Sequence, residues 1–477
     1  MLNIHWEVMV ILLPIVSAIS CFLWPGRCSW VGLINAFAIV FSVAGLSWQI
    51  VEQGAGRYAV GGWEVPLGIA LVADGLSLLM LMITAVVGLA ISIYSICYFN
   101  QDKARHFWPL WMLLWAALNA LFLSADIFNI YVTLELMGLA AVALVALDGG
   151  KNSLGAAMRY LLVSLLGSLF YLLGVVLLYH SFGTVDMSLL AQRMESSPAV
   201  WAAMGLMTAG LLLKTALFPL HFWLPPAHGN APTPVSALLS ALVVKASFYI
   251  LLRLWLEVFP DASFAAGQLL GLLGAAAVLW GGFLALRQTR LKLLIAYSTV
   301  MQIGYLFLAF PLASIAGWKA AVYLLLSHAL AKTAMFMAAG NILLYEGHDR
   351  IAELDRVAQR LPMTLGAFAM AGVSLMGLPP SGGFIGKWLL LEAAIRSGQW
   401  WWGIVLIVGG LLTGAYVFKV IGFAFTQSTL PHESRAVPIG MEWTALFMAL
   451  LAIGLGFFAP WIMAIMDVGF SFGVVTK

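Results

Sequence analysis

Lys214-Thr215-Ala216-Leu217-Phe218-Pro219-Leu220-His221-Phe222-Trp223-Leu224-Pro225 interrupts an apolar run that begins near residue 200. The peptide continues past His228 to Pro232-Thr233-Pro234, where a second run of about 232–256 starts. A broken helix at membrane depth is tolerated only where protein or a watery cavity satisfies the freed backbone groups. A similar interruption, Gly377-Leu378-Pro379-Pro380-Ser381-Gly382-Gly383, falls inside the run of about 362–396. Two breaks in corresponding places of two halves point to a transporter with inverted repeats.

The composition around these breaks agrees. Of 477 residues, 63% are hydrophobic and 9% charged, against about one quarter charged in a soluble domain. Too little polar surface remains to cover a water-facing globule. Counting apolar runs of roughly 20 residues gives about fourteen helices, at 4–24, 30–51, 74–98, 107–123, 126–147, 155–180, 200–218, 232–256, 264–286, 292–310, 316–344, 362–396, 402–425 and 441–466. The fold class expected is an all-α polytopic membrane protein. The net charge of +3 is scattered and gives no reason to expect nucleic acid. Cys21, Cys28 and Cys97 form no CxxC pair, so neither cofactor nor metal is expected.

Basic residues set the expected orientation. The odd-numbered loops hold Arg27, Lys103, Arg105, Lys151, Arg159, Arg287, Arg290, Lys292, Arg350, Arg356, Arg360 and Arg435. The even-numbered loops and nearby helix ends hold Arg57, Arg193, Arg253 and Arg396. Positive charge stays inside, which places both termini on the outer face.

Glu135, Lys214, Lys245 and Lys332 are each flanked by long apolar sequence, and His328 lies one turn before Lys332 on the same helical face. An unpaired charge at mid-bilayer costs at least a few kcal/mol, so such residues face the bundle interior and mark ion or proton paths. Burial favours the neutral amine and a nearby carboxylate favours the ammonium. A lysine beside Glu135 can therefore switch. By spacing, Lys214 before the first break is followed 31 residues later by Lys245, and Lys387 after the second is followed 32 later by Lys419.

Plainer roles compete for other positions. Lys419 and Lys292 read equally well as lysines snorkelling to the interface. His221 and His228 read as relay groups or as backbone caps. Asp74 reads as the cap of the third helix, Trp400-Trp401-Trp402 as an interfacial anchor, and Glu346 to Arg360 as a solvated loop. Gly382-Gly383-Phe384-Ile385-Gly386-Lys387-Trp388 lacks the spacing and the hydroxyl residue of a phosphate loop.

The segment 214–225, with Ala231-Pro232-Thr233-Pro234-Val235-Ser236-Ala237-Leu238-Leu239 and Val244-Lys245, resembles the signature of the proton-translocating antiporter-like subunits. These occur in respiratory complex I, membrane-bound hydrogenases and Mrp-type sodium/proton antiporters. Asp74-Gly75-Leu76-Ser77, Glu135, Ser327-His328-Ala329 with Lys332, and Gly382 to Lys387 extend the resemblance along nearly the whole chain. It implies fourteen helices with two inverted five-helix repeats and broken helices 7 and 12. The division implied is 1–98 for helices 1–3, 105–256 for the first repeat, 264–425 for the second and 441–466 for helix 14. Glu135 and Lys214 become a modulating ion pair, Lys245 and His328 with Lys332 the central relay, and Lys387 the terminal carrier. His221, His228 and Lys419 are further relay candidates.

The absence of long C-terminal extensions and the presence of Lys387 make the Mrp D subunit the nearest resemblance. The partners expected are other hydrophobic subunits, lipid, protons and Na+, in a bacterial inner membrane. A redox-driven complex I-like or hydrogenase-linked pump, and an energy-coupling subunit for inorganic-carbon uptake, are the alternatives.

Overall fold

The computed structural model describes residues 5–259, 264–427, 435–470 and 472. Residue 4, where the first apolar run was expected to start, lies outside them. Thirteen helices among the described residues are long and apolar enough to cross a membrane. They begin with α1 (Trp6–Leu23), α2 (Cys28–Gln53), α3 (Gly75–Tyr98) and α4 (Gln101–Leu123). Next come α5 (Ile127–Val145), α6 (Lys151–Phe182), α7 (Pro198–Thr215, resuming at Leu224–Asn230) and α8 (Thr233–Val258). Then follow α9 (Phe264–Arg287), α10 (Leu291–Phe307) and α11 (Ile315–Glu346). A further broken helix, α12, is made of two short halves, Pro362–Met376 and Gly382–Arg396. The series ends with α13 (Trp401–Ala424) and α14 (Ile439–Met466). The chain is thus an all-α integral membrane protein.

Both breaks have local causes. The first half of α7 stops because Ala216 turns left-handed, with φ 58°. The second half restarts with Pro225 in its first turn, where no amide donor is needed. In α12 the reversal falls on Gly377, φ 84°, and the Ser381 hydroxyl accepts from the Phe384 amide at 3.2 Å to cap the second half. A Cβ on Gly383 would stand 1.8 Å from the Ser374 carbonyl oxygen, so glycine lets the two halves pass backbone to backbone.

Core and periphery separate clearly. α8 and α11 are enclosed on every side, whereas α1, α2, α13 and α14 turn most of their surface outward. α8 carries π-helical turns at Leu239–Val243 and Leu254–Val258, on either side of Lys245.

Two backbone clasps tie loops together. Asp126, between α4 and α5, pairs with Asp186, before α7. Ile127 N donates to Val185 O at 2.9 Å and Met187 N to Ala125 O at 2.9 Å. Arg290, between α9 and α10, pairs with Arg350, before α12. There Leu291 N donates to Asp349 O at 2.7 Å and Ile351 N to Thr289 O at 2.8 Å. The two clasps share one donor–acceptor pattern and carry opposite charge. A hairpin of β1 (Gly56–Ala59) and β2 (Ala70–Ala73) covers the acidic one, and Arg57 ion-pairs with Asp186.

Several expectations need correction. Arg253 is not a loop charge: it is buried and ion-paired with Asp74 and, at 2.8 Å, with Glu257. Asp74 does cap α3, accepting from Ser77 N at 2.8 Å. Glu346 is buried, so the segment that follows it is not wholly a solvated loop. Trp400 and Trp401 are exposed, but Trp402 is buried with its indole on Gln399. The lysines paired by spacing do not occupy matching places. Lys214 ends the first half of α7, while Lys387 lies in the second half of α12. Lys245 is enclosed in α8, whereas Lys419 is half-buried near the end of α13.

Candidate functional site

Lys214 is placed by the last turn of the first half of α7, at the negative end of that half-helix. Its amine donates to Ser164 Oγ of α6 at 2.9 Å and stands 3.7 Å from Glu135 Oε1 of α5. Glu135 keeps 22% side-chain exposure, so this pair lies towards the edge of the bundle. His221, in the break, stacks on Phe218 at 5.6 Å between ring centroids.

The central groups converge on α10. Lys245 of α8 donates to the Ser240 carbonyl, inside the first π-helical turn. The Ser240 hydroxyl meets Thr299 Oγ1 of α10 at 2.8 Å. Lys332 of α11 donates to Ser298 Oγ and, at 3.0 Å, to Ile295 O, both on α10. Ser298 and Thr299 also donate to Ile295 O, at 2.9 and 3.0 Å. Two lysines from different helices therefore share one polar strip.

Two histidines join this strip to its neighbours. His228 is fully buried, stacks on Phe336 at 5.2 Å, and lies within electrostatic reach of Lys332, Lys292 and Lys245. His328 lies within reach of Lys245, Lys332 and Lys387. Neither ring nitrogen of either histidine has a hydrogen-bond partner among the described residues.

Lys387 reaches back across the break in α12. Its amine donates to Leu375 O at 2.8 Å and Met376 O at 3.2 Å, and lies 4.3 Å from the centre of the Tyr305 ring. Gln302 of α10 donates to the same Leu375 carbonyl at 3.2 Å. Behind the lysine an apolar groove of about 510 Å³ opens between α12 and α13, lined in part by Gly377, Trp388, Gly410 and Phe418.

Lys245 and Lys332 share the α10 strip, Lys387 and Gln302 of α10 share the Leu375 carbonyl, and His228 and His328 are buried among these lysines without a hydrogen bond to them among the described residues. Among the described residues, no hydrogen bond joins Glu135 and Lys214 to these groups. Lys419 stands apart, donating to Leu286 O and Gln288 O at 2.9 and 2.7 Å, where it caps the end of α9. Sequence reasoning missed Lys292, which is buried and donates to Ala231 O rather than reaching for the interface. It also missed Ser298, Gln302 and Tyr305. Their spacing of four and three residues marks a polar stripe on α10 that periodicity could have found.

The fold and these groups define a class: a polytopic helical protein with two broken helices and a set of buried lysines and histidines between them. The chain belongs to the NADH:quinone oxidoreductase/Mrp antiporter transmembrane family, whose model matches residues 124–413. Residues 59–107 match the N-terminal model of complex I chain 5. It is 36% identical over 475 residues to the N subunit of the NADH-quinone oxidoreductase of Desulforudis audaxviator, covering 95% of this chain and 94% of that one. It is 28% identical over 476 residues to the D subunit of the Na(+)/H(+) antiporter of Bacillus subtilis, covering 97% and 96%. A chain of the Mrp complex from Dietzia sp. superimposes with a TM-score of 0.88 at 25% identity, covering 97% and 96%.

Proposed function

We propose that this chain is the proton-translocating subunit of a multisubunit cation/proton antiporter, exchanging protons for Na+ alongside other hydrophobic subunits. The carrying observation is the set of buried lysines and histidines on α7, α8, α11 and α12 gathered around the polar strip of α10. Glu135 with Lys214 sets the charge state at one end, Lys245, His228, His328 and Lys332 relay, and Lys387 ends the row. His221, Lys292 and Lys419 remain peripheral relay groups in this reading. The matching clasps and breaks support two inverted units, 105–256 and 264–425, between helices 1–3 and helix 14. The Arg290–Arg350 clasp faces the cytoplasm of a bacterial inner membrane, with both termini outside.

The test is proton flux in everted vesicles bearing the assembled complex. Lys214→Ala is expected to abolish Na+-dependent flux, and unchanged flux in an assembled variant would overturn the reading. A second reading, the membrane arm of a redox-driven pump, is favoured by the 36% identity to an oxidoreductase subunit. Flux that requires an electron donor and ignores Na+ would select it.

A further inference from the structure

Lys387 differs from the other buried lysines in what lies beside it. The groove of about 510 Å³ at its back runs between the second half of α12 and α13. The rim residues Trp388, Leu411 and Phe418 are 55%, 70% and 63% exposed, so the groove opens on the outward, lipid-facing side of the bundle. Gly410 and Gly414 leave bare backbone along its α13 wall, and a Cβ on either would come no closer than 3.4 Å to its nearest neighbour, Met376. Trp388 and Leu391 carry the opening on into a smaller cavity of about 230 Å³, lined also by Glu392 and Arg396.

Size and charge narrow what can lie there. The stretch of α13 from Ile407 to Phe418 that lines the groove is about 16 Å long. Spread over that length, 510 Å³ gives a cross-section of roughly 30 Å². A helix about 10 Å across cannot enter such a slot, whereas a single alkyl chain can. Among the described residues, Lys387 is the one charged side chain lining it. Leu375 O and Met376 O take two N–H groups of that amine, and a third, present once it is protonated, meets only the face of Tyr305. No carboxylate among the described residues pairs with it. Glu392, the next acid along the helix, is held by Arg396 at 2.6 Å. Lys387 also lies about 13 Å inside the Arg396 end of its half-helix. A lipid phosphate, which stays charged, is too costly to bring to that depth. A carboxylic acid can shed its charge on the way by taking up a proton.

We propose that this groove binds a long-chain carboxylic acid, its tail between α12 and α13 and its head on Lys387. The acid enters from the surrounding lipid in its neutral, protonated form. At the site its O–H bond breaks and the proton joins the lone pair of the neutral Lys387 amine. The carboxylate left behind accepts a hydrogen bond from the ammonium just formed, a charge-assisted contact in a dry setting. No proton is gained or lost overall. The site stands whether or not Lys387 also carries protons in transport, so its failure and that of the relay are separate results.

The test uses the assembled complex in detergent and hexadecanoic acid carrying a diazirine near the end of its tail. After irradiation, labelled residues are located by peptide mass spectrometry. Label is expected between Trp388 and Phe418, above the background on the outward faces of α1 and α2. Unlabelled hexadecanoic acid should displace it at least about tenfold more effectively than its methyl ester, which cannot form the ion pair. Gly414→Leu, which fills the groove, should remove this label and leave the background unchanged. Lys387→Ala should keep the label but let acid and ester compete equally. Equal competition by acid and ester in the unaltered complex would overturn the proposal, because the groove would then hold alkyl chains without reading their heads. Label no denser than the background would overturn it as well, as would a neighbouring subunit's helix shielding the groove.

Discussion

The two broken helices solve one problem in different ways. In α7 the carbonyls freed at the break are met by the chain itself: Leu217 N donates to Leu212 O at 3.2 Å, and the Trp223 indole to Leu213 O at 2.9 Å. Lys214 is thereby left to face a carboxylate. In α12 the freed carbonyls of Leu375 and Met376 are met by Lys387, with Gln302 assisting. Its other neighbour is an aromatic ring. An acid controls the first lysine, whereas neutral dipoles and a quadrupole hold the second. The second is thus a structural cap and a charge carrier at once.

That contrast can be broken most sharply at Lys387. Lys387→Ala should remove the carrier and strip Met376 O of its donor, leaving Leu375 O to Gln302 alone, at a cost of about 1–3 kcal/mol for a group left unsatisfied. Flux should vanish, and hydrogen exchange at residues 377–385 should rise. Full flux with unchanged exchange would show that the lysine neither carries nor caps. Lys214→Ala, by contrast, should leave exchange at 216–223 near the wild-type level.

Glu135→Gln tests the acid side of the comparison. It should lower flux about tenfold without changing either break, because Lys214 loses the counter-charge that favours its ammonium form. Flux unaffected by Glu135→Gln would make the two lysines equivalent after all.

The smallest effect is expected at the clasps. Burial, reinforced by the Asp186 carboxylate, holds the Asp126 carboxyl above its ordinary range against the pull of two amides at 2.7 Å. A carboxyl raised by folding contributes stability below its unfolded value of about 4 and loses that contribution as pH rises through the folded value. Asp126→Asn keeps an amide-accepting oxygen without the charge. It should flatten thermal stability across that acidic window, and an unchanged pH profile would show that the acidic clasp carries no such penalty.

The fold was legible because it is written in run lengths and proline. Apolar runs locate the thirteen helices of membrane length and the two short halves of α12, and Pro219 and Pro380 mark both breaks within a few residues. The buried lysines were legible for a similar reason: Lys245 and Lys332 are conspicuous inside apolar helices. Their connections were less so. Ser298, Gln302 and Tyr305 are ordinary residues whose common face shows only when α10 is viewed as a helix beside α11 and α12. The positions of Lys214 before one break and Lys387 after the other were legible too, but the spacing to Lys245 and Lys419 did not show that Lys245 is enclosed and Lys419 half-buried. Lys292 was discounted because proximity to a helix end looks like proximity to water. The turn from the second half of α7 into α8 brings the Ala231 carbonyl over that amine and helps to enclose it.

The clasps have one further consequence. Each is a pair of main-chain bonds that staples the start of one continuous helix to the turn that follows another: α5 to the turn after α6 on one side, α10 to the turn after α11 on the other. Sliding either helix along the membrane normal past its partner would tear both bonds of a staple. The continuous helices are therefore pinned at alternate ends like a folded rule, and the travel available to a proton switch lies in side-chain stems and in the two broken helices, which the staples leave free.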